Sequence, residues 1–245
     1  MLARIRLTAF SIFLFFYVAL MGIACLPVIL FGREASRRTV KLWAKMGLFF
    51  LKLITGISYR VEGAENIPQG GAVIAANHQS MWETMALYAI APKPVIVLKK
   101  ELASIPVYGW WAKAAGNIIV DRKGAAKALR ALARDAKASI ESGAQIIIFP
   151  EGTRLAAGTI APFQPGVAGI YTAAQAPCVP AAHDSGCFWR HRDGEMVPGT
   201  ITLRFLTAIP PNLDRKKFLA ELKRVIEAAR PDLENIKVGE VATHD

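Results

Sequence analysis

Residues 72–84 read AVIAANHQSMWET. The first five are small or β-branched and uncharged, which suits a strand buried on both faces. The polar NHQS ends that strand, and from Trp82 to residue 91 the composition turns helical. The same unit recurs from about residue 57 onward: VIVL at 95–98, NIIV at 117–120, QIIIF at 145–149, CVPAA at 178–182 and TITLRF at 200–205 are further candidate strands. Residues 106–115 and the Ala/Lys/Arg-rich 125–142 are candidate helices between them, and Gly143 stops the latter. Strands that alternate with helices predict an α/β fold with a mostly parallel central sheet flanked by helices. Residues 214–230 predict a charged amphipathic helix closed by Pro231, and the last dozen residues read as frayed.

Ahead of this body lies a different kind of sequence. Residues 7–31, LTAFSIFLFFYVALMGIACLPVILF, carry no charge. As one straight helix they would extend about 37 Å, against a hydrocarbon core of about 30 Å. Pro27 lacks a backbone N–H, so it kinks or ends the helix and makes a full crossing marginal. The apolar run exceeds a signal-peptide core and lacks a clear small-x-small cleavage site, so it is expected to be retained. In residues 36–56, Val40, Trp43, Gly47, Phe50 and Ile54 recur at helical spacing, with Arg37, Lys41, Lys45 and Lys52 largely on another face. Such a basic amphipathic helix can lie in a lipid interface or be an ordinary domain helix with a solvated charged face. Cations flank the apolar run on both sides, which suits a hairpin that enters and leaves one cytoplasmic leaflet. The chain therefore divides into a membrane-anchoring helical segment over 1–56 and an α/β domain over 57–245.

Composition excludes several classes. Of 245 residues 53% are hydrophobic, too many for a disordered chain, and after residue 60 no uncharged apolar run approaches the length of a membrane span. The net charge is +11, but residues 1–60 hold nine Lys+Arg against one Glu, leaving only +3 for the remaining 185 residues. Nucleic-acid binding is accordingly not expected. Cys25, Cys178 and Cys187 form no CxxC pair and are read as reduced, with a cytosolic main body. Histidines at 78, 183, 191 and 244 fit neither HExxH nor finger spacing, so no metal is expected.

In α/β sheets chemistry collects where strands end. After the 72–76 strand, His78 stands beyond the strand and Glu83 in the first helical turn, where a carboxylate can hold one imidazole nitrogen while the other faces substrate as a base. Ser80-x-x-Glu83 is also a capping box, and spacing alone does not choose between the two roles for Glu83. Ser80 lacks the GxSxG surroundings of an elbow nucleophile. After 145–149, FPEGTR offers a glycine turn with free backbone N–H groups, the hydroxyl of Thr153 and the guanidinium of Arg154, which are anion-binding tools. Arg122 after the 117–120 strand, and Lys99 or Lys100 after 95–98, bring further cations to the same edge. Together these suit a phosphate.

In order and spacing these segments resemble the 1-acylglycerol-3-phosphate acyltransferase family of glycerolipid acyltransferases, from about residue 60 to 210. The family's NH-x4-D is similar to Asn77, His78 and Glu83, with glutamate in the aspartate's place; its G-x-I-x-x-D-R to residues 116–122; its third motif to FPEGTR at 149–154; and its fourth to CVPA at 178–181. The segment Lys99-Lys100-Glu101-Leu102, followed by Pro106 and Gly109, looks like the family's lysine-containing link. Gln164 and Asp184 depart from the lysine and asparagine of that pattern.

The resemblance implies transfer of a fatty acyl group from acyl-CoA or acyl-acyl carrier protein to the sn-2 hydroxyl of 1-acyl-glycerol 3-phosphate, giving phosphatidic acid in phospholipid synthesis. His78 is then the base and Glu83 its orienter, with backbone amides stabilising the oxyanion. Arg122, Arg154, Lys99 and Lys100 bind the acceptor's phosphate, with Glu151, Gly152 and Thr153 shaping that pocket. It implies no cofactor besides the acyl donor, a phospholipid leaflet and a lysophospholipid as partners, and a place on the cytoplasmic face of the inner (cell) membrane. Acylation of a lyso-ornithine lipid or of glycerol 3-phosphate, and a catalytically silent lipid-binding protein, are the alternatives.

Overall fold

The computed structural model describes residues 1–121, 125–190 and 194–234. Seven strands form one sheet: β1 (Ile57–Glu62), β2 (Ala72–Ala76), β3 (Pro94–Lys99), β4 (Ile118–Val120), β5 (Gln145–Ile148), β6 (Cys178–His183) and β9 (Gly199–Phe205), in the order β1-β9-β6-β2-β5-β3-β4. All neighbours pair in parallel except β6 with β9, where Ala181 faces Phe205 and His183 faces Leu203. A separate antiparallel pair, β7 (Trp189–Arg190) with β8 (Glu195–Met196), comes between β6 and β9 in the chain but not in the sheet.

The inner strands β2, β3, β5 and β6 are mainly apolar because both faces of the sheet are covered there. Successive residues point to opposite faces. Ile74, Ala76, Ile96, Ile147 and Val179 pack on one side with Trp82 and Leu87 of α3 (Trp82–Ile90) and with Leu48 and Leu51 of α2 (Gly32–Thr55). Val73, Ala75, Val95, Ile146 and Ile148 pack on the other with α5 (Ala125–Glu141), α6 (Pro165–Ala174) and α8 (Arg215–Ala229). This is a three-layer α/β/α arrangement, and every expected strand is present. The edge strand β1 and helix α6 go beyond the sequence reading. β1 escaped because its ISYRVE carries charges, and α6 because its Pro165-Gly166 start reads locally as a turn.

Helix α1 (Leu2–Ala24) stops just before Pro27, and a 3-10 turn over Leu26–Phe31 leads into α2. Phe13 meets Phe50 with ring centroids 4.7 Å apart, and the Tyr17 hydroxyl donates to the Trp43 carbonyl at 3.2 Å. Later residues of α1 thus meet earlier residues of α2, so the pair is an antiparallel hairpin. Ile12, Phe15, Phe16, Leu20 and Ile23 of α1 are exposed, as are Leu30 and Phe31.

The amphipathic face of α2 does not point outward. Trp43 packs edge-on against Trp111 of α4 (Tyr108–Ala114) at 4.5 Å, Phe50 sits among α1 rings, and Gly47 lies against Met85. The sheet face needs that cover, which outweighs exposure to a lipid interface. Lys41 is drawn in as well, its Nζ donating to the Ala91 carbonyl at 2.5 Å at the end of α3. The face left outward carries Leu42, Phe49 and Leu53 together with Arg38, Lys45 and Lys52.

Candidate active site

Because β2, β3, β5 and β6 run parallel, their C-terminal ends share one edge, and β2 lies between β5 and β6. Asn77, the first residue beyond β2, bridges to β6: its Nδ2 donates to the His183 carbonyl and its Oδ1 accepts the His183 N–H, both at 2.9 Å. His183 is wholly buried. Its Nδ1 accepts the Ser185 N–H at 3.3 Å, so its Nε2 carries the proton and donates to the Asn77 carbonyl at 2.7 Å. Burial lowers its pKa, and this histidine is a neutral structural link.

His78 is the reachable one. Its Nδ1 stands 2.7 Å from Glu83 Oε1, with side chains 14% and 0% exposed. Phe149 stacks on the imidazole at 4.1 Å and 13°. Glu83 Oε1 also accepts the N–H groups of Gln79 and Ser80 at 2.8 Å, while Oε2 receives the hydroxyls of Ser80 at 2.7 Å and Ser185 at 2.9 Å. Both roles that spacing left open are filled at once: the carboxylate holds the imidazole and bonds back to the Ser80 N–H. Burial pushes the Glu83 pKa up, but the hydrogen bonds with His78 and the Ser80 hydroxyl overcome it and hold the group well below the usual carboxylate range. The extra methylene relative to aspartate does not cost the His78 contact, and it carries Oε2 to Ser185 in α7 (Ser185–Phe188). Ser80 is completely buried and its Oγ accepts the Trp82 N–H at 3.0 Å, a setting for support and not for a nucleophile.

The FPEGTR turn follows β5, beside β2. Gly152 has φ +70°, which favours glycine, and its N–H donates to the Phe149 carbonyl at 3.0 Å. That N–H closes the turn, whereas the sequence suggested it would be open to an anion. Glu151 is buried, and its Oε2 accepts the His78 N–H at 2.8 Å. Burial pushes its pKa up to about 8, so at neutral pH the carboxyl is mostly protonated and can adjoin an anion without repelling it. The Leu155 N–H donates to the His78 carbonyl at 2.8 Å, so this loop grips the His78 peptide from both sides. Between them, Arg154 keeps its Nε buried with no hydrogen-bond partner among the described residues. A buried, unpaired guanidinium nitrogen is costly unless a ligand satisfies it.

With this geometry in place, residues 58–184 match the acyltransferase family model. The chain belongs to the acyltransferase family. It is 34% identical over 202 residues to the 1-acyl-sn-glycerol-3-phosphate acyltransferase of Pseudomonas aeruginosa, covering 82% of this chain and 78% of that one. It is 26% identical over 198 residues to the human 1-acyl-sn-glycerol-3-phosphate acyltransferase alpha, covering 79% and 69%. The crystal structure of the 1-acyl-sn-glycerophosphate (LPA) acyltransferase PlsC from Thermotoga maritima superposes with a TM-score of 0.77 at 21% identity, covering 95% of each chain, which establishes the shared fold.

In this acyltransferase the remaining candidate residues fall as follows. Lys99 ends β3 at the same edge and is exposed. Lys100 Nζ pairs with Asp121 Oδ2 at 2.7 Å, both well exposed, so the aspartate of the VDR segment already balances that charge. Arg122 lies outside the described residues. Thr153 is exposed at the turn. The departures at Gln164 and Asp184 fall at fastening points: the Gln164 N–H donates to the Pro150 carbonyl at 2.7 Å, and Asp184 Oδ1 accepts the Thr202 N–H at 2.8 Å. Sequence reasoning missed Ser185 and Phe149 as partners of the dyad. Ser185 lies 102 positions from Glu83, and nothing local in AHDSG marks its hydroxyl as a carboxylate donor.

Proposed function

We propose that this acyltransferase transfers a fatty acyl group from acyl-CoA or acyl-acyl carrier protein to the sn-2 hydroxyl of 1-acyl-glycerol 3-phosphate, giving phosphatidic acid. The observation that carries the reading is the His78–Glu83 contact of 2.7 Å at the strand edge, with the unpaired Arg154 nitrogen on the loop whose Leu155 N–H bonds the His78 carbonyl. His78 Nε2 takes the proton of the acceptor hydroxyl as its oxygen attacks the thioester carbonyl. The tetrahedral intermediate collapses with cleavage of the C–S bond, and the imidazolium returns its proton to the departing thiolate. Glu83 holds the imidazole tautomer and stabilises the imidazolium. Arg154, with Lys99 and Arg122, receives the phosphate, while Lys100 stays paired with Asp121, and Glu151, Gly152 and Thr153 form the pocket wall. A thioester is already activated, so the reading includes no cofactor beyond the donor, and a buried Ser80 supports direct transfer without an acyl-enzyme.

Acceptor and product are both lipids, and the outward apolar residues of the hairpin suit the cytoplasmic leaflet of the cell membrane, with Arg38, Lys45 and Lys52 at anionic headgroups. Residues 1–56 serve as anchor in this reading, although Leu48 and Leu51 also belong to the core. Its test is therefore substitution and not deletion: Phe15, Phe16 and Phe49 changed together to Glu should shift the folded protein from membranes to the soluble fraction.

The functional test is acyl transfer by membranes containing the wild type or His78→Ala, offered lysophosphatidic acid and a lyso-ornithine lipid with each carrier. Phosphatidic acid formed by the wild type alone supports reaction and base together. Transfer only to the other acceptor replaces the substrate, and no transfer favours a silent lipid-binding protein.

A further inference from the structure

Beyond the stretch matched by the family, the chain returns to the site. Helix α8 ends at Ala229, Pro231 stops it, and Arg230 and Asp232 form an ion pair whose side chains are only 3% and 1% exposed. The pair is two-pronged, Nε to Oδ1 at 3.0 Å and Nη2 to Oδ2 at 2.6 Å. Its other bonds go to the two segments that flank His78. Asp232 Oδ2 accepts the Gln79 Nε2–H at 2.8 Å and the Gly158 N–H at 2.7 Å, and Arg230 Nη1 donates to the Thr159 carbonyl at 2.9 Å. Gln79 in turn accepts the Gly186 N–H on its Oε1 at 3.0 Å and gives its own N–H to Glu83.

A buried ion pair adds little to stability over a well-packed apolar pair, so its use here must be sought in what it positions. Two segments of chain meet on it, the NHQS turn bearing the dyad and the loop that carries Arg154 onward to Thr159, and Gln79 links a third, the start of α7 with Ser185. We propose that the Arg230–Asp232 pair, acting through Gln79, is a positioning brace that sets the dyad and the Arg154 loop in register with each other. Glu83 is then held from its two ends, by the Gln79 and Ser80 amides on one oxygen and by Ser185, next to the Gln79-bound Gly186, on the other. The proposal rests on the acyl-transfer reading for its kinetic consequence but not for its structural one.

The test is an exchange of hydrogen-bond polarity in the full-length protein. Gln79→Glu alone sets two carboxylates face to face, and Asp232→Asn alone leaves the Arg230 charge unpaired. Together they keep a hydrogen bond between positions 79 and 232, but an amide nitrogen in place of Oδ2 faces the Gly158 N–H and the Arg230 guanidinium, so both changes disable the same brace and their losses should not add. Each single variant should lower kcat about ten- to a hundredfold, as expected for ångström-scale misplacement of reacting groups. Each should raise KM for lysophosphatidic acid and leave the donor KM unchanged, and the double variant should lose no more than the worse of the two single variants. Hydrogen–deuterium exchange of peptides spanning 77–84 and 153–160, without substrate, should accelerate in the single variants and accelerate no further in the double. Donor and acceptor KM values rising alike, or losses that add in the double variant, would overturn the brace. Unchanged exchange in the single variants would overturn it even if lysophosphatidic acid proved not to be the acceptor; altered exchange with no transfer by any variant, wild type included, would leave the brace standing and sink the acceptor reading.

Discussion

Replacing Glu83 by Gln keeps shape and removes charge, which makes it the sharpest probe of the dyad. The carboxylate is fully buried and stands 2.7 Å from the imidazole nitrogen. At that distance, and with an effective dielectric of about 20, a carboxylate attracts an imidazolium by about 6 kcal/mol. That corresponds to about four powers of ten in rate if it acts mainly once His78 has taken the proton. The amide retains a carbonyl dipole for Nδ1–H, and the Ser80 and Ser185 hydroxyls can rotate to accept its NH2, so the fold should persist. We expect kcat to fall about a thousandfold or more, with KM for either substrate little changed and the melting temperature within a few degrees of wild type. Steady-state acyl transfer in detergent micelles, with a thermal melt of the same preparation, reads all three. The companion change Glu83→Asp pulls the carboxylate back by about one bond, ~1.5 Å. It can then reach His78 or Ser185 but not both, and one lost hydrogen bond to a charged group corresponds to about a tenfold to hundredfold loss. A Glu83→Gln enzyme with more than a tenth of wild-type kcat would refute the reasoning, as would a Glu83→Asp enzyme as fast as the wild type.

Other expectations follow from single contacts. Glu151 has its pKa raised by burial from 4.5 to about 8, so the protonated form is favoured in the folded state and stability is lost as pH rises between those values. Glu151→Gln should therefore match the wild type in urea at pH 4.5 and exceed it above pH 8, by up to about 5 kcal/mol; a difference that does not change with pH would refute the assignment. Arg154→Ala should raise the acceptor KM far more than the donor KM, and equal rises would count against a phosphate on the unpaired nitrogen. A Cβ on Gly109 would come within 2.2 Å of the Ala103 carbonyl oxygen, so Gly109→Ala should destabilise by about 1–3 kcal/mol in denaturant titration, by forcing α4 off the preceding turn.

Much of the architecture could be read from local pattern. Apolar, often β-branched runs and the helices between them mark six of the seven sheet strands, five of them free of charge, because strands buried on both faces rarely carry one. The exception, β1, sits at the sheet edge, where ISYRVE exposes Tyr59 and Arg60 and loses the pattern. His78, Glu83 and FPEGTR were legible because each lies within a few residues of a strand end. Pro27 likewise placed the end of α1.

What one dimension withheld is of two kinds. The direction in which α2 turns its apolar face depends on the free energy of leaving a sheet face bare, and the spacing of Trp43, Gly47 and Phe50 is the same whether they meet lipid or Trp111, Met85 and Phe13. The partners that make a histidine and a glutamate into a held dyad come from afar: Phe149, Ser185 and the Arg230–Asp232 pair are separated from His78 by the whole winding of the sheet. Periodicity records which residues are buried and which strand ends carry chemistry, since those follow from neighbours in the chain. Which hydroxyl completes a carboxylate, and which loop grips a peptide, follows from strand order, and contacts of this kind exist only once the chain has folded back on itself.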